Sequence, residues 1–178
     1  MRTTTKGQRM AYEEYPPDHY VQPLGLGLQP AYICDIDGTL SWRPPEGAEG
    51  YPPQRGFYEY DRVMEDLYDS DVFNTVGALQ QAGAKIIFVS GRPESCREDT
   101  TAWINAPEIL KCDLDNPLYM RTTGDFRPDT IVKRELFDKH IRPEGYHIFG
   151  VFDDRNRVVK MWREQLGLTV FHVKDHDF

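Results

Sequence analysis

Asp35 and Asp37 are the residues of this chain best suited to chemistry. They stand on alternate positions in Ala31-Tyr32-Ile33-Cys34-Asp35-Ile36-Asp37-Gly38-Thr39-Leu40, at the end of a short apolar run. Alternate side chains of an extended backbone point the same way, so both carboxylates face one space. One can attack an electrophile while the other handles a proton. A carboxylate nucleophile divides phosphoryl transfer into two steps through an aspartyl phosphate. Carboxylates meeting a phosphate bring like charges together, and Mg²⁺, which takes a few carboxylate ligands, neutralises them. An Asp-x-Asp-Gly is also an ordinary turn. A turn alone, however, would not call for the apolar run before it or for the polar groups that follow.

Those groups also stand at the ends of apolar segments. Residues 84–89 run into Ser90-Gly91-Arg92, where a hydroxyl and a glycine amide suit phosphate oxygens. Residues 147–152 run into Asp153-Asp154-Arg155, adjacent acids that need a cation or an arginine beside them. Lys133 lies in the first turn of a helix predicted over 130–140, where it opposes the helix dipole, and that conflict marks it as a site candidate.

The elements that must position these residues alternate. The run before Asp35 reads as a buried strand bounded by Pro30 and Gly38. A helix is predicted over 71–82, capped by Asp71 and closed by Gly83, with Val72, Val76 and Leu79 on one face. A strand follows at 84–89, then a helix over 94–105 opened by Pro93. A short strand at 118–120 precedes Arg121. Asp129 reads as the cap of the 130–140 helix, whose apolar face is Ile131, Leu136 and Phe137. A strand at 147–152, a helix at 156–166 with Val158, Val159, Trp162 and Leu166 inward, and a strand at 169–173 complete the series. Strands alternating with helices predict an α/β fold: a mainly parallel sheet with helices on both faces and its site at the strand ends. No insertion is large enough for a separate cap domain. Residues 1–30 read as an arm or linker, and 31–178 as the domain.

Residues 41–60 form a long loop rich in Pro and Gly, the kind that is often functional beside a site. Arg43 or Arg55 can reach a phosphate from it. Trp42, Phe57 and Tyr58 read first as anchors of the loop on the core, with stacking on a base as the alternative.

Composition narrows the classes. The 178 residues carry a net charge of −8, which argues against coating long nucleic acid but allows a few arginines to grip one terminus. No long apolar run is present, so no membrane span is expected. Three widely spaced cysteines, Cys34, Cys96 and Cys112, form neither a disulfide framework nor a zinc pair, and a reducing cytoplasm is the expected compartment. None begins a Cys-x₅-Arg phosphatase motif. There is no P-loop, Gly25-Leu26-Gly27 being no substitute, so ATP-dependent kinase activity is not expected.

Asp35-Ile36-Asp37-Gly38-Thr39-Leu40, Ser90-Gly91, Lys133 and Asp153-Asp154 resemble the four motifs of the haloacid-dehalogenase-like phosphotransferases. The resemblance implies Asp35 as nucleophile, Asp37 as general acid/base, Lys133 as charge balance, and the late acid pair for metal. The second aspartate, absent from the dehalogenases, points to phosphoryl transfer. Arg55-Gly56-Phe57-Tyr58, Val89-Ser90-Gly91-Arg92 and Gly124-Asp125 with Asp129 narrow the resemblance further. So do Ile131-Val132-Lys133 and Asp153-Asp154-Arg155 followed by Val158-Val159-Lys160-Met161-Trp162-Arg163. Together they are similar to the 3′-phosphatase domain of bacteriophage polynucleotide kinase-phosphatases, from about Ala31 to Asp177-Phe178.

That resemblance implies Ser90, Thr39, Arg55, Gly91, Arg92, Arg121 and Lys133 around the phosphate, with Asp129 orienting a basic partner. It implies Mg²⁺ on Asp35, the Asp37 carbonyl and Asp153, with Asp154 beside them. The expected activity is removal of 3′-phosphate from DNA or RNA ends. Without the family's kinase half, 5′-phosphorylation is not expected. A small-molecule phosphatase such as a nucleotidase is the alternative, and a phosphoprotein phosphatase is a further one. A non-catalytic module binding phosphorylated ends ranks below them, because both carboxylates are present.

Overall fold

The computed structural model describes residues 16–23, 28–44 and 48–176. Its strands are Pro30–Cys34 (β1), Ser41–Trp42 (β2), Leu67–Tyr68 (β3), Lys85–Pro93 (β4), Leu118–Arg121 (β5), His147–Arg155 (β6) and Val170–His176 (β7). Its α-helices are Ser70–Gln81 (α1), Arg97–Asn105 (α2), Asp129–Leu136 (α3) and Asn156–Lys160 (α4). Five strands form a parallel sheet in the order β5-β4-β1-β6-β7, and β2 pairs antiparallel with β3. The chain builds outward from β1 through β4 to β5, then returns past β1 to β6 and β7. The reversal opens a crevice at the carboxyl end of β1.

Alternation along the strands divides the core. Cys34, Ile86 and Phe88 pack with Phe73 and Val76 of α1 and with Trp103 and Ile104 of α2. Their neighbours Ile33, Ile87 and Val89 face the other way, against Phe137, Val158 and Trp162. A parallel sheet buried on both faces needs apolar residues at successive positions, which is why β4 reads as an unbroken run. The expected fold class is the one observed, and no helix is long and apolar enough to cross a membrane among the described residues.

Several boundaries differ from expectation. The cap of α1 is Asp69, whose carboxylate accepts the Val72 amide, and Asp71 lies inside the first turn. β4 continues through Ser90-Gly91-Arg92 to Pro93, so Pro93 ends a strand, and a 3₁₀ turn (Glu94–Cys96) precedes α2. Asp129 does not cap α3: it lies within the helix, and Pro128 occupies the cap position with no side-chain bond. α3 and α4 each widen into a π-helical turn, Phe137–Ile141 and Met161–Gln165. The loop after Leu40 opens with β2, which the sequence pattern did not reveal.

Part of the expected arm lies on the domain. The Asp18 and Tyr20 amides donate to the Gln165 and Leu166 carbonyls, each at 2.8 Å. Gln22 both accepts from the Ile148 amide and donates to its carbonyl, again at 2.8 Å. Residues 1–15, Gly25-Leu26-Gly27 and Asp177-Phe178 lie outside the described residues.

Candidate active site

The carboxyl end of β1 delivers Asp35 into the crevice. Its amide donates to the Phe152 carbonyl of β6 at 3.0 Å, which extends the sheet pairing to the site. Asp153 and Asp154 arrive from β6. One carboxylate oxygen from each of Asp35, Asp153 and Asp154 lies within 4.8 Å of the others, and all three residues are buried. Gly38 permits this approach: its φ is +82°, and a Cβ there would stand 2.2 Å from Asp154 Oδ2. Lys133 Nζ lies 2.8 Å from both Asp35 Oδ1 and Asp153 Oδ2. Trp162 Nε1 donates to the same Asp153 oxygen at 3.1 Å, and Thr39 Oγ1 donates to Asp154 Oδ1 at 3.2 Å.

Burial pushes the Asp35 carboxyl well above the usual carboxylate range. Lys133 opposes the rise, and the Asp153 and Asp154 carboxylates add to it. Burial alone would lower the Lys133 ammonium, but Asp153 and Asp35 outweigh it and raise its pKa. Three carboxylates and one ammonium thus meet in one buried place. Hard oxygen donors so arranged fit a divalent cation.

Asp37 turns away from that cluster. It accepts from Arg92 Nε and Nη2 at 2.9 and 2.8 Å and from Arg55 Nη2 at 3.2 Å. Burial raises its pKa, but Arg92, then Arg55 and Arg43, overcome it and hold the carboxyl at about 2. Its carboxylate is therefore outside the acidic cluster; the resemblance assigns metal only to its backbone carbonyl. Arg43 does not compete for Asp37 at close range. Its Nη1 reaches the Arg55 carbonyl at 3.5 Å and its guanidinium lies over Phe57.

A third group fixes the far wall. Asp129 pairs with both Arg121 and Arg155. Arg121 Nε also donates to the Gly91 carbonyl at 2.8 Å. A Cβ on Gly91 would come within 2.9 Å of Asp129 Oδ1. Asp35, Asp37, Gly91, Arg121, Asp129 and Lys133 line a cleft of about 1030 Å³. Thr39, Ser90, Arg55, Arg92, Asp153 and Asp154 are buried behind it; Arg55 and Arg92 meet the cleft at Asp37, and Asp153 at Lys133. Ser90 Oγ accepts the Arg92 amide at 3.1 Å. Trp42 packs on Tyr51 of the same loop, whereas Phe57 and Tyr58 line the cleft.

The family model described as the polynucleotide kinase PNKP phosphatase domain matches residues 29–178. The chain belongs to that family. A similar protein from Autographa californica nuclear polyhedrosis virus, named as a proposed bifunctional polynucleotide kinase/RNA ligase, is 34% identical over 172 residues. The match covers 96% of this chain and 23% of the viral protein. Two solved structures of Pnkp1/Rnl/Hen1 complexes, one described as an RNA repair complex, each align with a TM-score of 0.74. Their identities are 35% and 33%, covering 93% and 100% of this chain and 48% and 58% of theirs. The chain thus spans about a quarter of the viral relative and about half of the structural ones.

For this PNKP phosphatase domain, sequence reasoning missed two buried residues. Asp66 takes Arg55 Nε on Oδ1 at 2.7 Å, and on Oδ2 it takes Arg55 Nη2 at 2.8 Å and Arg92 Nη2 at 2.6 Å. The available signal was arithmetic: two site arginines facing one Asp37 lack a counter-ion. Trp162 carries the pattern of a core residue, yet its indole also donates to Asp153. Trp162→Phe keeps an aromatic side chain and removes the donor. Partners that orient metal-holding acids are worth roughly 10–100-fold in affinity or activity. The variant is expected to bind Mn²⁺ at least about tenfold more weakly, as measured by electron paramagnetic resonance.

Proposed function

We propose that this domain is a Mg²⁺-dependent polynucleotide 3′-phosphatase, with residues 31–178 as the catalytic unit and 1–30 as an arm. The observation that carries it is Asp35 at the floor of an open cleft, beside Lys133 and the Asp153-Asp154 acids, with Asp37 on the adjoining wall. The cleft has room for the end of a polymer, and its family is one of polynucleotide phosphatases. Repair proteins among the relatives support nucleic acid as the substrate.

In this reading an Asp35 oxygen attacks phosphorus in line as the bond to the 3′-oxygen breaks. Asp37 delivers a proton to that leaving oxygen. Water then attacks the aspartyl phosphate, Asp37 takes a proton from it, and inorganic phosphate leaves with Asp35 restored. Asp37 is an anion in the substrate-free protein. The proton it delivers comes from the entering phosphate ester as its monoanion, passes through Asp37 to the 3′-oxygen, and is replaced by the proton taken from water, which inorganic phosphate carries away. Lys133 and Arg121 stabilise the equatorial oxygens. A bound Mg²⁺ would be held by Asp35, Asp153 with Asp154, and the Asp37 carbonyl, and would offset the charge between phosphate and nucleophile.

The test is phosphate release from a 3′-phosphorylated oligonucleotide, with Mg²⁺ and with chelator, beside a 5′-phosphorylated oligonucleotide and a 3′-mononucleotide. Metal-dependent release that favours the 3′-phosphorylated polymer is expected. Release from the mononucleotide alone would overturn the polynucleotide assignment in favour of a nucleotidase.

A further inference from the structure

Tyr60 lines the cleft together with Asp35, Asp37 and Arg121. Its ring is fixed. It packs, partly buried, against the apolar cluster that contains Phe73 and Trp103, and the Arg55 guanidinium lies 5.9 Å from the ring centroid. Tyr60 opens a 3₁₀ turn (Tyr60–Glu65) that leads directly to Asp66. Arg55 therefore holds both ends of that turn, the ring at one and the Asp66 carboxylate, at 2.7 Å, at the other.

The hydroxyl is the unspent part of this side chain. Tyr20 and Tyr68, also partly buried, donate theirs to the Tyr146 and Trp103 carbonyls at 2.8 and 2.9 Å. Among the described residues no group pairs with the Tyr60 hydroxyl. Burial, and then the Asp37 carboxylate, push the phenol up, while Arg121 opposes the rise, so at neutral pH it keeps its proton and can donate. Asp37 is the residue that serves the leaving oxygen, whereas Lys133 and Arg121 serve the other oxygens of the phosphate. A donor beside Asp37 stands on the leaving side. The leaving oxygen grows more negative as its bond to phosphorus stretches, and a donor already in place binds it more tightly there than in the ground state.

We propose that the Tyr60 hydroxyl is a further catalytic group, which donates a hydrogen bond to the leaving 3′-oxygen and keeps its own proton throughout. This rests on the polynucleotide 3′-phosphatase reading. Tyr60→Phe keeps the ring and removes the donor. It is compared with the unaltered protein by kcat/KM, which covers the steps through formation of the aspartyl phosphate. The substrates are a 3′-phosphorylated oligonucleotide and the same oligonucleotide with sulfur in place of the bridging 3′-oxygen. On the oxygen ester the variant is expected to lose roughly tenfold. On the sulfur ester, whose leaving atom is a weak acceptor, the two proteins are expected to agree. The ratio of the two substrates is read on one preparation, so an unfolded fraction cancels. The pH profile of kcat/KM is expected to stay in place.

An undiminished rate on the oxygen ester overturns the contact and leaves the polynucleotide reading intact. So does an equal loss on both esters, which would put the hydroxyl on another phosphate oxygen or in the service of the fold. A displaced pH profile would make Tyr60 a positioning residue for Asp37 and overturn the direct contact. Failure of the underlying reading looks different: the unaltered protein itself would release no phosphate from the oxygen ester, and the inference would fall with it.

Discussion

Asp35→Asn is expected to abolish phosphate release, with turnover down by more than about 10⁴-fold, as for loss of a nucleophile elsewhere. The fold should survive, because the amide has the same shape and removes one of three clustered negative charges. Burial already works against ionised Asp35, so the melting temperature should hold or rise. Asp37→Asn is also expected to abolish turnover, but with the opposite stability signature. Arg92 and Arg55 hold the Asp37 carboxyl at about 2, below an unfolded value near ~3.9. A depressed pKa stabilises the protein above the unfolded value, and that gain fades as pH falls through the folded one. The melting gap between the unaltered protein and Asp37→Asn should therefore be full at neutral pH and close between about pH 4 and pH 2. Calorimetry across pH and a phosphate-release assay check both variants. A tenth of normal turnover in either would rule out its assigned role.

The fold was legible because its parallel strands are short apolar runs that end in polar clusters, and buried parallel strands must be written that way. The cleft residues Asp35, Asp37 and Lys133 stood out for a local reason: each breaks a pattern within a few positions of itself. Errors arose where a local rule met a distant partner. Asp129 has the position and chemistry of a helix cap, but Arg121 and Arg155, from two different strands, claim its carboxylate. Asp71 and Asp69 are both plausible caps by type; the backbone geometry of Asp69 decides between them. Thr39 and Ser90 are a different case, standing beside glycines as phosphate ligands are expected to: Thr39 Oγ1 donates to Asp154, and Ser90 Oγ accepts the Arg92 amide while keeping its own proton to donate. Pro93 reads as a helix opener, but the register shift between Ser90 and Pro93 carries β4 past the glycine and back into pairing with Arg121.

Asp66 is the sharper case, and the loss expected from Asp66→Asn is correspondingly large. Its side chain is 2% exposed and balances two buried guanidiniums, those of Arg55 and Arg92. Without Asp66 the two guanidiniums share Asp37 alone, and a buried charge left without its counter-ion costs up to about 3–5 kcal/mol. The asparagine keeps some hydrogen bonds but not the charge, so the melting temperature should fall by several degrees. Activity should fall further than stability explains. Both arginines also hold Asp37, and Arg55 supports the loop carbonyls before Tyr58, so a shift of either moves several groups at once. A displacement of about 1 Å at such a centre costs on the order of a hundredfold in rate. The measurement is kcat at a temperature where circular dichroism shows the variant fully folded. A loss on the order of a hundredfold there would identify Asp66 as a positioning residue. Normal kcat with a lowered melting temperature would reduce it to a structural counter-ion.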